Sequence, residues 1–169
     1  MARTTKALTK RPAVKRPNGL RLDHYTSTRD SVGFVVREIW RLFARCLQPR
    51  IAREGVSIGM WFVLRMLWDE DGMTQRELGE RVGINGPTMV TALNSMERAG
   101  LVKRVHSQAD RRKINVFLTK RGRKLKSKLW PMAAEVLALS LSGLKHSQVQ
   151  SLKKMLAQVR LNLERDHFE

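Results

Sequence analysis

Apolar residues recur at helical spacing along most of this chain of 169 residues. Over residues 31–53 they return every three or four positions, and Arg37, Arg41 and Arg45 form a row at i, i+4 intervals. Residues 57–69 are apolar on nearly all sides, which is typical of a helix buried in the centre of a domain. The pattern therefore predicts a mostly helical protein.

Two short helices follow, separated by a tight turn. Residues 74–77 (TQRE) form a capping box, in which a threonine hydroxyl and a glutamate carboxylate satisfy the free amides of a helix start, and Gly83 ends that helix. Residues 85–87 (NGP) begin the second helix with an asparagine cap and a proline in the first turn, and Gly100 closes it. Two short helices joined in this way are typical of a helix-turn-helix.

The second of these helices has two chemically different sides. One side is apolar and is predicted to face the core: Met89, Val90, Leu93 and Met96. The other side carries short hydroxyl and small residues, which suit base edges in the major groove of DNA. These are Thr88, Thr91, Ala92 and Ser95, with Asn94 beside them. A polar outer face is also ordinary for a surface helix, so the face alone does not indicate DNA recognition.

A short hairpin with a cationic tip comes next. Residues 101–105 and 114–118 alternate in the manner of strands, and residues 106–113 form the loop between them. The apolar strands would pack on the helices and leave the tip free to reach DNA phosphates or a minor groove. Asp110 is expected to hydrogen-bond within the loop, orienting an arginine and holding the shape of the tip.

Two long helices are predicted after the hairpin. Thr119 can cap the first, and residues 147–150 (SQVQ) offer a capping box for the last. In the last helix an apolar seam recurs at alternating spacings of three and four: Val149, Leu152, Leu156, Val159 and Leu163. Such a seam suits packing against another helix, either within the same chain or in a dimer.

Positive charge is concentrated in two segments of a chain whose net charge is +18. Residues 1–22 carry seven bases and no acid, and residues 101–128 carry eleven bases and one acid, so the rest of the chain is close to neutral. Clustered charge of this kind indicates a polyanionic partner, and a merely solvated surface explains two separate clusters poorly. Residues 1–22 have little to bury and are expected to be disordered.

Other function classes find little support in the sequence. No apolar run approaches the ~20 residues of a membrane span, and the N-terminus lacks the apolar core of a secretory signal. The one cysteine, Cys46, fits a reducing cytoplasm, and its apolar neighbours indicate an inert buried thiol. The histidines are scattered and there is no glycine-rich phosphate loop. We expect no enzyme activity, no catalytic residues, no metal site and no cofactor.

Taken together, these segments resemble the winged helix-turn-helix core of MarR-type transcriptional regulators. The resemblance covers residues 56–122 and rests on VSIGMWFVLRML, on TQRELGERVGINGPTMVTALNSMERAGLVKR and on the DRR…V.LT..G hairpin. It implies a mostly α fold with a small β-hairpin wing, and a homodimer on a pseudo-palindromic double-stranded DNA operator. The implied organisation is a basic tail (1–22), an N-terminal dimerisation helix (23–55), the DNA-binding core (56–122) and C-terminal dimerisation helices (123–169).

The resemblance also assigns roles to individual residues. Arg112 would enter the minor groove, and Arg104 matches an arginine of the first wing strand, whereas Arg111 falls where the family varies. The full set of expected DNA contacts is Thr74, Gln75, Asn85, Pro87, Thr88, Thr91, Ala92, Asn94, Ser95, Arg98, Arg104, Asp110, Arg111, Arg112 and Lys113. The apolar seam of the last helix, from Val149 to Leu163, would form part of the dimer interface.

MarR-type regulators commonly bind small anionic or phenolic ligands between the dimerisation helices and the winged domain. Here the lining of such a cleft could comprise Trp40, Trp61 and Arg65, with Arg37, Arg41 and Arg45 near its rim. These residues would suit an aromatic acid or an aryl-CoA thioester, although such tryptophans more often belong to the core, and such arginines more often pair with acids or lie along the surface.

The resulting prediction is a cytoplasmic, ligand-responsive repressor. The alternative is a basic RNA-binding or architectural DNA-binding protein that uses the same charge without reading a sequence.

Overall fold

The computed structural model describes residues 31–168, with side chains as far as Arg165. The predicted disordered tail, residues 1–22, and the first part of the predicted region 23–55 lie outside the described residues. Contacts divide the chain into two units, Met1–Ile39 and Trp40–Glu169. The described part is mostly helical with one antiparallel hairpin, which confirms the predicted fold class.

In the first unit, the described residues form the beginning of helix α1 (Val32–Ile51). The backbone N–H of Phe34 donates to Ser31 Oγ at 3.1 Å, so Ser31 caps the helix start. Several apolar side chains of this stretch are exposed: Val32, Val35, Val36 and Ile39.

The second unit contains the end of α1 and all the remaining elements. Helix α1 ends at Ile51, two residues before the predicted end, and a 3₁₀ turn (Ala52–Glu54) follows it. The other elements are α2 (Ile58–Asp69), α3 (Gln75–Val82), α4 (Gly86–Arg98), β1 (Val102–His106), β2 (Ile114–Leu118), α5 (Lys120–Ser140) and α6 (His146–Phe168).

Helix α2 lies in the core of this unit, as its apolar pattern predicted. Its side chains Trp61, Val63, Leu64 and Leu67 are buried. They pack in one cluster with apolar residues of the neighbouring elements, among them Leu78, Met89, Leu93, Met96, Val116, Leu118, Leu125 and Leu129. Cys46 is partly buried and packs against the same cluster. The core therefore holds α3, α4 and the hairpin on one scaffold.

Strand β1 begins one residue later than predicted. The backbone N–H of Leu101 donates to Met96 O at 2.9 Å and completes the turn that ends α4, so pairing with β2 starts at Val102 opposite Leu118. The segment before α3 also joins β2, because Gly72 N donates to Val116 O at 3.0 Å and Val116 N donates to Met73 O at 2.8 Å. The sequence did not predict this backbone pairing of residues 72–73 with β2.

The start of α5 is packed tightly against the start of the hairpin. Gly122 N donates to Thr119 Oγ1 at 3.1 Å, which confirms the predicted cap. Gly122 is buried, and a Cβ atom at this position would lie 2.1 Å from Leu101 O, well inside van der Waals contact. A hydrogen is therefore the only side chain that fits here, and the helix continues from this point through Pro131 to Ser140.

The predicted cap of the last helix was wrong by two residues. Helix α6 begins at His146, so Ser147 already lies inside its first turn. The backbone N–H of Lys145 donates to Gln148 Oε1 at 2.8 Å, and Val149 N donates to Lys145 O at 3.1 Å. The glutamine side chain therefore satisfies the Lys145 amide just before the helix, and the turn that precedes it contains Gly143 with a φ of 85°.

Candidate nucleic-acid interface

Helices α3 and α4 are held by the caps that their sequences predict. Thr74 Oγ1 accepts from Glu77 N at 3.2 Å, and Glu77 Oε2 accepts from Thr74 N at 2.9 Å, which completes the capping box. Thr74 Oγ1 also donates to Glu77 Oε2 at 2.8 Å. The two hydrogen bonds that the Glu77 carboxylate accepts from Thr74, with that from the backbone the larger cause, lower the pKa of this carboxyl below its ordinary value. Gly83 ends α3 with a φ of 75°, and Asn85 Oδ1 accepts from Thr88 N at 2.9 Å to begin α4. The tight turn that this produces confirms the helix-turn-helix.

Helix α4 is divided into a buried and an exposed side. Met89, Leu93 and Met96 are fully buried, as predicted, but Val90 is exposed. Val90 follows Met89 directly and lies about 100° around the helix from it, so the two cannot face the same core. The predicted base-reading residues lie on the exposed or half-buried surface: Asn85, Pro87, Thr88, Thr91, Ala92, Asn94, Ser95 and Arg98.

The hydroxyl groups of α4 are already bonded to the helix itself. Thr91 Oγ1 donates to Pro87 O at 3.1 Å, and Ser95 Oγ donates to Thr91 O at 3.2 Å. A hydroxyl whose hydrogen is used in this way still has acceptor lone pairs. The Thr91 hydroxyl can therefore accept a hydrogen bond from a ligand on the outer face of the helix. The Ser95 oxygen already accepts a hydrogen bond from Arg98 Nη2 at 3.3 Å.

The loop between β1 and β2 is closed by hydrogen bonds around Asp110. Asp110 Oδ1 accepts from the backbone N–H of Arg112 at 3.1 Å and from its Nε at 3.2 Å. These bonds, with that from the side chain the larger cause, hold the pKa of the Asp110 carboxyl below its ordinary value. The loop also contains Ser107 N donating to Lys113 O at 2.9 Å. The role expected for Asp110 within the loop is confirmed.

The side chain of Arg104 ties strand β1 to helix α4. Its Nε and Nη2 donate to Glu97 Oε2 at 3.0 and 2.6 Å, and its backbone N–H donates to Glu97 Oε1 at 2.9 Å. The Arg104 hydrogen bonds lower the pKa of the Glu97 carboxyl. The pair is therefore fully formed above the ordinary pKa of glutamate, and its contribution to stability is lost only as the pH falls through the lowered value.

Several basic side chains of residues 101–128 form hydrogen bonds or ion pairs within the protein. Arg121 Nη1 donates to Ala99 O at 2.7 Å, Arg123 pairs with Asp71 at 2.6 Å and Lys128 pairs with Glu54 at 2.9 Å. Within residues 31–165, no ion pair is formed by the side chains of Lys103, Arg111, Lys113, Lys120 or Lys124. The count of bases in the sequence therefore overstates the charge that is free to meet an external anion.

The two expected DNA contacts at the start of α3 are only partly accessible. Thr74 is occupied by its capping box and forms a β-bridge with Asn115. The side-chain oxygen of Gln75 is buried and makes no hydrogen bond within the described residues. The exposed positions of α4 and of the wing tip, such as Thr88, Thr91 and Arg112, are more accessible and are therefore the better candidates for contacts with a nucleic acid.

The expected effector residues fall in different environments. Trp61 is only 3% exposed and belongs to the core, where its ring lies 5.7 Å from Trp68 and 6.4 Å from Trp130. The guanidinium of Arg65 lies 5.8 Å from the Trp61 ring and 5.9 Å from the Trp130 ring. Trp40, on α1, is 56% exposed and takes part in none of the ring contacts found within residues 31–165.

Sequence reasoning missed Trp130. Its ring is half exposed, and Lys126 Nζ lies 5.8 Å from it on the same helix, α5. An aromatic residue inside an otherwise basic stretch, KLKSKLWP, was the available signal. Arg65, Lys126 and Trp130 together form an aromatic and cationic surface, which we call the Trp130 cluster.

The apolar seam of α6 is largely uncovered in the single chain. Val149 and Leu152 are half-buried, and the remaining members, Leu156, Val159 and Leu163, are exposed. The exposed fraction is 43% at Leu156, 40% at Val159 and 67% at Leu163. Packing among the described residues therefore does not account for the seam.

Residues 56–114 match the model of the MarR family. The matched segment contains most of the winged-helix core, so this part of the chain is similar to MarR-family proteins. Among similar curated proteins, the HTH-type transcriptional regulator TtmR of Methylorubrum extorquens is 31% identical over 96 residues, which are 57% of this chain and 49% of TtmR. The organic hydroperoxide resistance transcriptional regulator of Bacillus subtilis is 28% identical over 93 residues, which are 55% of this chain and 63% of that protein. These matches span about half to two thirds of the relatives' own lengths.

Several solved structures share the fold over most of the chain. A MarR transcriptional regulator from Methanosarcina mazei Go1 has a TM-score of 0.76 and 25% identity, over 79% of this chain and 96% of its own. CouR from Rhodococcus jostii RHA1, bound to p-coumaroyl-CoA, has a TM-score of 0.70 and 18% identity, over 79% and 94%. A CouR repressor bound to a 23-mer DNA duplex has a TM-score of 0.72 and 23% identity, over 80% and 96%.

None of the helices within residues 31–168 is long and apolar enough to cross a membrane. Within the same residues, no three His, Cys, Asp or Glu side chains come together in a group suited to a metal ion.

Proposed function

We propose that this chain is a MarR-type, DNA-binding transcriptional repressor that reads a pseudo-palindromic operator as a homodimer. The observation that supports this most directly is the polar and exposed outer side of α4, which lies beside a wing whose cations Arg111 and Lys113 form no ion pair within residues 31–165. The core holds both elements on one rigid scaffold, which is what simultaneous contact with a major groove and its flanking phosphates requires.

In this proposal α4 enters the major groove and the wing reaches the adjacent backbone or minor groove. Thr88, Thr91 and Ala92 would meet base edges, because short side chains allow the helix to approach closely. Two subunits would contact half-sites about one helical turn apart, so the operator would have two-fold symmetry.

Selection of bound sites from random duplexes tests this proposal. The expected result is one short pseudo-palindrome, protected as a single footprint. A basic RNA-binding or architectural protein would instead coat duplexes or RNA with little sequence preference. Enrichment of no motif, together with equal binding to RNA and to unrelated duplexes, would contradict the operator-reading function.

Replacing Arg112 with alanine is expected to weaken operator binding by about 1–3 kcal/mol if this side chain reads the minor groove. The side chain is 91% exposed and is oriented by Asp110 rather than buried, so its removal leaves the core intact. Gel-shift titrations on the selected operator and on an unrelated duplex measure the change.

The matched control for Arg112 is Lys124→Ala, on α5. Lys124 is exposed and forms no ion pair within residues 31–165, so its loss should weaken all duplexes alike and lower the salt slope by about one. Equal, sequence-independent losses from both variants would show that the wing does not read a site.

The effector is proposed to be an anionic aromatic compound, such as an aromatic acid or its CoA thioester. The Trp130 cluster supports this class, because a half-exposed indole beside Arg65 and Lys126 suits an aryl group and a negative charge. CouR, which shares the fold, was crystallised with p-coumaroyl-CoA. The arginine row on α1, Arg37, Arg41 and Arg45, provides a second set of cations for the same class of ligand.

Such an effector is expected to weaken operator binding about 5–150-fold, which corresponds to a coupling of about 1–3 kcal/mol. Saturating operator should weaken effector binding by the same factor, because the coupling is reciprocal. Fluorescence titration of p-coumaroyl-CoA and of free aromatic acids measures both. Release by neutral or cationic compounds alone, or a full response after Arg65, Arg37, Arg41 and Arg45 are each changed to glutamine, would contradict this ligand class.

A further inference from the structure

The Arg104 side chain bonds to a second residue of α4 besides Glu97. Its Nη2 donates to Asn94 Oδ1 at 2.5 Å. With a side chain only 23% exposed and three donors already used on Glu97 and Asn94, Arg104 is poorly placed to contact DNA itself. Its hydrogen bond instead fixes the orientation of the Asn94 side chain, which lies on the exposed side of α4.

The contact determines which way the Asn94 amide faces. Arginine has only donors, so the oxygen of the amide, and not its nitrogen, must face the guanidinium. The two hydrogens of Asn94 Nδ2 are then left over, and they meet no acceptor within residues 31–165. An asparagine with no such partner could turn either its oxygen or its nitrogen outward, whereas Asn94 keeps its oxygen on Arg104 and has only its nitrogen available as a donor.

Asn94 belongs to the side of α4 that the core leaves open. It lies three residues after Thr91 and four residues before Arg98, so the three side chains are neighbours on the helix surface. All three are exposed. The unused donors of Asn94 therefore lie beside the residues expected to read bases.

We propose that Arg104 is a positioning residue that restricts Asn94 to donating hydrogen bonds, so that Asn94 prefers guanine at one position of each half-site. This inference rests on the proposed DNA-binding function. Guanine presents two acceptors, N7 and O6, in the major groove, whereas adenine places a donor beside its N7. Asparagine recognises adenine by donating and accepting together, and the acceptor of Asn94 is occupied by Arg104.

The test compares the sites that wild-type protein and the Arg104→Met variant select from random duplexes. Methionine has a similar length and no donors, so the Asn94 amide becomes free to rotate. Wild type is expected to select guanine at one position of each half-site. The variant is expected to shift that position toward adenine by at least about fivefold while the rest of the motif stays the same.

Lys103→Met is the matched control. It removes the same charge from the neighbouring residue of β1, and Lys103 is exposed and unpaired within residues 31–165. It should lower affinity for all duplexes and leave the selected motif unchanged. A shift in base preference from Lys103→Met equal to that from Arg104→Met would overturn the inference, since charge alone would then explain it.

Asn94→Asp keeps the test decisive if Arg104→Met fails to fold. Aspartate retains an oxygen for Arg104 and loses both donors, so the thermal unfolding midpoint should stay close to that of wild type. Affinity for the operator should fall about tenfold, and the preference for guanine should disappear. An unchanged motif with Asn94→Asp would refute the assignment to Asn94, whereas the absence of any motif with wild type would refute the proposed function.

Discussion

Replacing Leu156 with aspartate is expected to abolish dimerisation and operator binding together. Leu156 lies in the middle of the α6 seam and is 43% exposed in the single chain, so the substitution costs little in the folded subunit. In a dimer that buries the seam, the same carboxylate would lose its water without gaining a partner, at a cost of several kcal/mol. Analytical ultracentrifugation should show a monomer, and gel shifts should show no operator complex.

Gln158→Asp on the same helix is the control for Leu156. Gln158 is exposed, lies outside the seam and bonds only to Asn162 among the described side chains, so the variant adds the same charge to a surface position. It should remain dimeric and bind the operator normally. A wild-type protein that is a stable, folded monomer at micromolar concentration would contradict the proposed dimer and, with it, the two-fold operator.

Replacing Gly122 with alanine is expected to destabilise the folded chain by about 3 kcal/mol, at the upper end of the usual cost of overpacking. The added Cβ would lie 2.1 Å from the carbonyl oxygen of Leu101 and 3.1 Å from Leu118 Cδ2. The clash is with backbone, so a rotamer change cannot relieve it, and the start of α5 must move away from the hairpin. Thermal unfolding should show a midpoint lowered by about 6–12 °C.

Gly59→Ala is the matched control for this substitution. Gly59 is also a helical glycine, and the nearest atom to an added Cβ there is Ser57 Oγ at 4.0 Å. With room for the methyl group, alanine should stabilise α2 by about 0.5–1 kcal/mol. If Gly122→Ala leaves the unfolding midpoint unchanged, the close packing of α5 on Leu101 is not a feature of the folded protein.

The predictions that agree with the structure depend on sequence patterns within a few neighbouring residues. The capping box at Thr74 and Glu77, the asparagine cap of α4 and the threonine cap of α5 each depend on hydrogen bonds between residues three apart. Such bonds can form whatever the rest of the chain does. The capping box predicted at Ser147 was wrong, because Gln148 instead accepts from the backbone N–H of Lys145 and the helix begins at His146.

The candidate site was predicted as a set of positions but not as a set of contacts. The exposed face of α4 follows from helical periodicity, because Met89, Leu93 and Met96 recur on one side. The pairing of Arg104 with Glu97 and Asn94 joins residues on different elements, and nothing in their spacing indicates it. The Trp130 cluster was missed for the same reason, since Arg65 and Trp130 are far apart in the chain.

Local periodicity, helix caps and composition, which are properties of neighbouring residues, were enough to predict most of the helices and the hairpin, most of the core residues of α2 and α4, and the positive charge near the wing. The three-dimensional arrangement was needed to establish which cations form no ion pair among the described residues, which way Asn94 faces and why residue 122 must be glycine. Each of these depends on a contact between elements, such as Arg104 with Asn94 or Gly122 with Leu101, and such contacts exist only once the core has brought the elements together.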